Sequence, residues 1–442
     1  MINKVNIENF KCYEKIEFDT SKITLITGAN SSGKSSLLYS ILGAIQSREF
    51  PFQFSPNGKY IKMGDFEEIV HNHDKSKLIK LEFHDDEGEK EKITTYWSND
   101  KIRNLPVLEK LYAHSDVFNL EIEKIRKYNL KFEYFVDKDP NQVSRSPEML
   151  KKIMEIVRSS IKENNEDAEE LTKKFNKLKT KIEFKFSDFN ELQELLRNDQ
   201  YYYLSSFVSS LSAMFNRFDD KINYISSFRL YPERTYYETS KKDLKVGKFG
   251  ENYEDQIIAW ETKKSPEYKE LISILKELGL LHEIKSKRLD GGRFEILIRT
   301  KANGVWSSLS DVGFGISQFL PIIVADLQLG KKSTLFIAQP EIHLHPRIQA
   351  QFGDYLVNRI SKENKRYVIE THSEYLINRL RLAIAKKDIS EDDVKTYFID
   401  NNGMKAKHYN LSLLKNGQIK NAPKSFFETY MLDVMNIAIE AE

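Results

Sequence analysis

The sequence predicts an α/β fold organised around a phosphate-binding loop, and three observations carry that prediction. A complete G-x-x-x-x-G-K-[ST] run, Gly28 to Ser35, sits between a β-rich segment and a helical pattern. Short, almost wholly apolar runs recur after residue 222, of the kind that parallel sheets bury on both faces. Two of those runs end in polar or acidic residues, where sheets of this class bind ligands.

The elements follow in order. Val5, Ile7 and Phe10 lead into Cys12–Phe18, and Ile23–Ile26 makes a short β-rich run that ends at Gly28. From Ser35, residues Leu37, Leu38, Ile41, Leu42 and Ile45 recur at helical spacing. Ile61 to Trp97 is strand-rich, with Leu78–Phe83 as its clearest run. Composition then shifts, and Lys101 to Ile222 is charged, Tyr-rich and helical in pattern. Leu150, Ile153, Val157 and Ile161 share one helix face, as do Leu171, Phe175, Leu178 and Ile182, with Glu163–Asp167 as a turn between them. This predicts a helical insertion, either a solvated hairpin or a lid or docking surface, too short for a long coiled-coil arm. From Ile222 the α/β character returns. Phe294–Ile298 alternates like a strand, Phe319–Leu329 is helical, and Ser333–Ile337, Tyr367–Ile369 and Tyr397–Ile399 are short apolar runs. The expected division is 1–98 and 221–398 as two parts of one α/β body, 99–220 as the helical insertion, and 399–442 as a tail.

The 442 residues suffice for two to four units at ~100–200 residues each. Lys and Arg number 68 against 66 Asp and Glu, and the formal charge of +2 excludes a polycation or an acidic tail. At 40% hydrophobic and 12% aromatic, the chain is too apolar to be disordered. No run approaches the ~18 apolar residues of a membrane helix, and the first ten residues are polar where a signal peptide would be apolar. The single cysteine, Cys12, excludes an internal disulfide and a Cys-rich zinc module. The expectation is a soluble, cytoplasmic protein with no membrane partner.

The loop chemistry explains its residue types. Backbone N–H groups must turn inward on a phosphate, which Gly28 and Gly33 permit because neither carries a Cβ. Asn30, Ser31, Ser32 and Ser36 complete the cradle, and Lys34 sets a positive charge against the β- and γ-phosphates. The Ser35 hydroxyl is the candidate Mg²⁺ ligand, and the helix that follows points its positive end at the anion. Downstream, Ser310–Gln318 is a second Ser- and Gly-rich segment at a helix start. Leu335–Glu341 is an apolar strand that ends at polar and acidic residues, and Tyr367–Ser373 is one that ends at His372.

Taken together, these motifs resemble the ABC-type ATPase heads of the SMC, Rad50 and RecF-like class. More closely, the chain resembles bacterial AAA-family ATPases with a C-terminal DUF3696 segment, relatives of the OLD-family ATPase domain. The likeness rests on Ile7–Lys11, Asn30–Ser36, Gly64–Asn72, Phe228–Arg234, Asp311–Gln318, Gln339–Pro346, Glu370–Ser373 and Pro423–Glu428. It implies a P-loop NTPase, an ABC-ATPase head that binds ATP and Mg²⁺. By the same likeness Ser310, Gly313, Gly315, Ser317 and Gln318 belong to the signature motif that meets the γ-phosphate on the other subunit. His372 is then the switch histidine, and Gln339 and Glu341 stand where the catalytic polar and acidic groups lie.

Ala338 departs from the pattern, since the resembled family carries Glu there. Either the protein is a weak ATPase, or a Glu was changed to Ala to trap a bound state, and the second reading is preferred. The split site implies a homodimer or an assembly of dimers. The likeness further implies a switch or scaffold in anti-phage defence, controlling a separate effector such as a nuclease, because only about 70 residues follow His372. The competing reading is a RecF- or Rad50-like repair ATPase that binds DNA. A small-molecule kinase leaves Ser310–Gln318 and His372 unexplained, and the 276 residues from Lys34 to Ser310 argue against a compact transporter head. His71, His73, His343 and His345 favour packing over metal binding. Arg229 and Arg234 suit either phosphate recognition or structural ion pairs.

Overall fold

Apolar spacing sets the elements over most of the chain. The computed structural model describes residues 2–85, 91–115, 118–135, 179–197, 201–237, 245–423, 426 and 439. Strands β1 (Ile2–Phe10), β2 (Tyr13–Asp19) and β3 (Ile23–Gly28) precede helix α1 (Lys34–Gln46). Then come α2 (Phe66–Ile69), β4 (Ile79–Asp85), β5 (Glu91–Asn99), β6 (Pro106–His114), β7 (Phe118–Lys124), β8 (Tyr128–Phe135) and β9 (Lys179–Phe186). Helices α3 (Phe189–Leu196) and α4 (Tyr202–Asp220) lead to β10 (Ile222–Ile225) and β11 (Tyr236–Tyr237). Next are α5 (Tyr253–Lys263), α6 (Pro266–Glu277), β12 (Glu283–Arg288), β13 (Arg293–Arg299), β14 (Ser307–Ser308) and α7 (Phe314–Gln328). The last are β15 (Thr334–Ala338), α8 (Pro346–Glu363), β16 (Arg366–Glu370), α9 (Glu374–Lys386), β17 (Val394–Asn401), β18 (Ala406–Leu413) and β19 (Ile419–Lys420). None of the described helices is long and apolar enough to cross a membrane.

These elements form two units that alternate along the chain. The first comprises Met1–Lys11, Gly43–Gly58 and Lys62–Asn216, and the second Cys12–Leu42, Lys59–Ile61 and Arg217–Glu442. In the first, an antiparallel sheet runs in the order β1-β4-β5-β6-β7-β8-β9. Val5, Ile7, Leu81, Phe83, Leu111, Leu120, Ile122 and Leu130 are buried. Phe215 of α4 packs edge-on against Phe50 and Phe83.

This corrects the expected helical insertion over 99–220. Pro106–His114, Phe118–Lys124, Tyr128–Phe135 and Lys179–Phe186 are strands, and the α-helices among the described residues of that span are α3 and α4. The reason lies in the period: Phe118, Leu120 and Ile122, then Tyr128, Leu130 and Phe132, are buried at every second position. Ile182, assigned to a helix face from its spacing, sits in β9 opposite Phe132. The proposed helix through Leu150–Ile161 and the first part of the second, Leu171–Leu178, lie outside the described residues.

A buried carboxylate ties this sheet together. Glu82 accepts hydrogen bonds from Asn6 Nδ2 at 2.7 Å and Thr94 Oγ1 at 3.1 Å, with His84 Nε2 at 2.8 Å and Lys92 Nζ at 3.1 Å. Burial raises its carboxyl, but His84, Lys92 and Lys80 outweigh that and hold it at about 2, below the usual 4.5. A depressed carboxylate contributes stability above its unfolded pKa and loses it as pH falls toward the folded value. Glu82→Gln is therefore expected to cost on the order of 2 kcal/mol at pH 7 and progressively less below pH 4.5. Urea unfolding of both proteins across pH 7 to 3 measures this, and a pH-independent difference would contradict the assignment.

The second unit is built on a sheet in the order β10-β15-β16-β3-β17-β18-β19. β10, β15, β16, β3 and β17 are mutually parallel, and β18 returns antiparallel on β17. Continuous burial of Ile23, Leu25, Leu335, Ile337, Tyr367 and Ile369 accounts for the unbroken apolar runs. A second small sheet, β11-β13-β12 with β14 on β13, lies in the same unit. The tail expected from residue 399 is no separate piece up to β19, because β17 spans the boundary and β18 extends the same sheet.

One polar cluster is wholly internal. Asp326 of α7, fully buried, accepts from Arg359 Nε at 3.0 Å, Tyr367 OH at 3.0 Å and Tyr355 OH. Lys365 Nζ lies 3.4 Å from Oδ1, the oxygen that Tyr367 also meets. The network fixes α7 and α8 against β16.

Candidate nucleotide site

Parallel strands present their C-terminal ends on one edge, and the loops that leave β3, β15 and β16 meet there. The phosphate loop departs from β3 with φ values of +142° at Gly28, +59° at Ser31 and +105° at Gly33. A Cβ on Gly28 would collide with the Ile399 carbonyl, and one on Gly33 with Cys12 Sγ, so both positions require glycine twice over. Tyr13 OH donates to the Gly33 carbonyl at 3.0 Å and supports the turn from beneath. Lys34 opens α1 and is almost fully buried. Its ammonium donates to the carbonyls of Gly28 at 3.0 Å and Ala29 at 2.7 Å, so it bridges its own loop. Burial lowers its pKa, while the charges of Glu370 and Glu341 push the other way.

The Ser35 hydroxyl donates to Glu370 Oε2 at 2.7 Å. Burial raises the Glu370 carboxyl, opposed by that hydrogen bond and by the Lys34 charge. Glu341 clamps the end of β16: its Oε2 accepts from Thr371 Oγ1 at 2.8 Å and its Oε1 from the His372 N–H at 2.6 Å. Burial raises its carboxyl as well, partly offset by the His372 N–H. His372 is lowered by burial and by the Lys34 charge, both of which favour the neutral imidazole. Its Nε2 is buried without a partner among the described residues, and its ring lines a cavity of about 310 Å³ with Thr27, Glu374, Asn378 and Phe398.

Gln339 and Glu341 follow β15 directly. Gln339 takes φ +48°, its N–H donates to the Glu370 carbonyl at 2.7 Å, and its carbonyl accepts from Arg229 Nη2 at 3.0 Å. Arg229 is 2% exposed, and its remaining guanidinium nitrogens have no partner among the described residues. Burial pulls it down to about 10, against the Glu341 charge. Arg234 instead makes a two-pronged ion pair with Asp311, at 2.5 and 3.1 Å. His345 Nδ1 caps α8 by accepting the Arg347 N–H, while His71 and His73 ring nitrogens meet the Lys11 and Glu67 carbonyls.

The signature segment meets the Arg229 side of this cluster and not the phosphate loop. No hydrogen bond joins Ser310–Gln318 to Gly28–Ser36 among the described residues. Ser317 is 1% exposed and bonds back to the Phe314 carbonyl, and Gln318 donates to the Arg229 and Leu230 carbonyls. Both side chains are buried and bonded within this chain. Gly313 and Phe314, at the start of α7, are the exposed part, with Ser310 and Gly315 beside them half-buried.

Glu370 is the residue that sequence reasoning passed over, although it closes a strand in the same way as the acid missing at Ala338. A triphosphate with Mg²⁺ fits this set on two observations. Ser32 Oγ is buried without a partner among the described residues inside the turned loop, and Ser35 with Glu370 offers hard oxygen donors.

The fold and loop define an α/β P-loop nucleoside triphosphatase. The chain belongs to the AAA ATPase domain family AAA_15, whose model matches residues 1–377. No curated protein matches the chain. Among solved structures, it is similar to the Smc head domain from Pyrococcus furiosus bound to the C-terminal domain of ScpA. Identity there is 11% over 100% of this chain and 99% of that one, with a TM-score of 0.40. An SMC head bound to the C-terminal winged-helix domain of ScpA gives 13% over 94% and 98%, with a TM-score of 0.43. The SMC head from Thermotoga maritima gives 9% over 93% and 98%, with a TM-score of 0.37.

Proposed function

We propose that this ATPase works as an ABC-type switch in which two copies close around two ATP molecules. One observation carries the reading: the phosphate loop and the signature segment occupy one unit, yet no hydrogen bond joins them among the described residues. A signature without a phosphate of its own is completed by a second subunit. The exposed aromatic pair Tyr231 and Phe314, with centroids 5.0 Å apart at the start of α7, supplies apolar surface for that contact. Lys34 and the loop N–H groups bind the phosphates, Ser35 orients Mg²⁺, and Glu341 with neutral His372 sits at the reacting edge. Bound Mg²⁺ supplies charge neutralisation at the β- and γ-phosphates. The resemblance to DUF3696-bearing and OLD-family ATPases supports a separate effector, a nuclease, and a setting in phage defence.

Gly313 is exposed, and a Cβ there meets nothing within 4 Å, so Gly313→Arg should fold while blocking closure. Lys34→Ala and Gly313→Arg are each expected to lose hydrolysis. Mixed in equal amounts, they should regain about a quarter of the wild-type rate, since half the dimers are mixed and each holds one intact site of two. Full activity from a demonstrated monomer would overturn the split site.

A further inference from the structure

The acid expected at the end of β15 is absent, and the strand beside it carries one. β15 and β16 run parallel with Ala338 opposite Glu370, and β16 in turn pairs with β3 so that Glu370 lies opposite Ile26, two residues before Gly28. β16 is thus the strand between the one that bears position 338 and the one that bears the phosphate loop. A carboxylate at its end is one strand nearer to the loop than a carboxylate at 338.

We infer that Glu370 is the metal-organising carboxylate of this site, the role having moved from the end of β15 to the end of β16. The inference rests on the ATPase reading above and names a residue within that site. Glu370 is 6% exposed, and its Oε2 accepts the Ser35 hydroxyl at 2.7 Å. Its Oε1 has no hydrogen-bond partner among the described residues. The Gln339 N–H holds its backbone carbonyl at 2.7 Å, which fixes the residue at the strand end. Glu341 cannot take the same part without breaking its clamp, because both its oxygens are engaged by Thr371 and His372. Mg²⁺ in such sites is held by one or two carboxylates with a hydroxyl, phosphates and water. Ser35 and Glu370 meet that need, with the hydroxyl reorienting its lone pair to the ion. Ala338 then becomes a small neighbour that leaves room for the Glu370 side chain, and no loss of hydrolysis follows from it.

The test compares ATP affinity with and without metal, read by calorimetry, and Mn²⁺ binding in the presence of ATP, read by electron paramagnetic resonance. Glu370→Gln is expected to weaken Mn²⁺ binding at least about tenfold, ~1.4 kcal/mol, while ATP affinity in EDTA changes less than about threefold. The EDTA measurement doubles as the check that the variant is folded. Glu370→Asp keeps the charge but draws it back by one methylene, and should weaken Mn²⁺ several-fold even if the Gln variant does not fold. Unchanged Mn²⁺ affinity in either folded variant would overturn the assignment and leave the ATPase reading standing. A wild-type protein that binds no ATP under either condition would overturn both.

Discussion

Lys34→Ala is expected to weaken ATP binding at least about a hundredfold, ~2.7 kcal/mol, and to abolish any activity that depends on it. The ammonium is buried among its own loop carbonyls, with bonds to Gly28 and Ala29, and no second cation stands in the loop sequence to replace it. Two losses add in this variant. The triphosphate loses a charge-assisted partner, and the empty loop loses the bridge that holds Gly28 and Ala29 in place for it. Calorimetric titration with ATP measures the effect, with circular dichroism to show that the sheet survives. An unchanged dissociation constant would remove Lys34 from the site.

Asp326→Asn should lower stability by about 3–4 kcal/mol. The carboxylate is fully buried and receives Arg359, Tyr355 and Tyr367 together, with Lys365 close by. An amide of the same shape keeps the volume, but whichever way it turns its N–H groups face either Arg359 or Lys365, which can only donate, and the charge that paired both cations is gone. The cost is moderated because Arg359 and Lys365 retain Glu363, at 2.8 and 3.2 Å. Urea unfolding gives the number, and a change under about 1 kcal/mol would show that Glu363 carries the network alone.

Legibility in the sequence followed the strength of local patterns. The loop from Gly28 to Ser35 was readable because its chemistry demands fixed residue types at fixed spacing. The strands at Thr334–Ala338, Arg366–Glu370 and Val394–Asn401 were readable as unbroken apolar runs. The strands Pro106–His114, Phe118–Lys124 and Tyr128–Phe135 were not, because they alternate apolar residues with Lys, Glu and Asn. That alternation, mixed with charged residues of good helix propensity, reads as helix when summed over a long window. The inward turn of Ser317 was hidden for a different reason. A motif names residue types, whereas which side of α7 each one occupies depends on what packs beneath it. Glu370 lay in plain view within Glu-Thr-His-Ser, but its value depends on strand order. Only the placement of β16 between β15 and β3 puts its end beside Ser35.

That strand order has a consequence for synthesis. β3 finds its sheet partners in β16 and β17, so Ile23 waits for Tyr367 and Val394 to leave the ribosome before it has a neighbour on either side. At ~5–20 residues per second, more than 340 residues of further elongation take roughly 20–70 s. Throughout that interval the nucleotide loop has no frame, and an apolar strand stands with both edges open. The nascent chain therefore cannot bind nucleotide early, and its period of greatest need for chaperone shelter runs from the emergence of Ile23 until β16 and β17 dock. Slow translation of the middle of the chain would lengthen that exposure, while faster translation would shorten it.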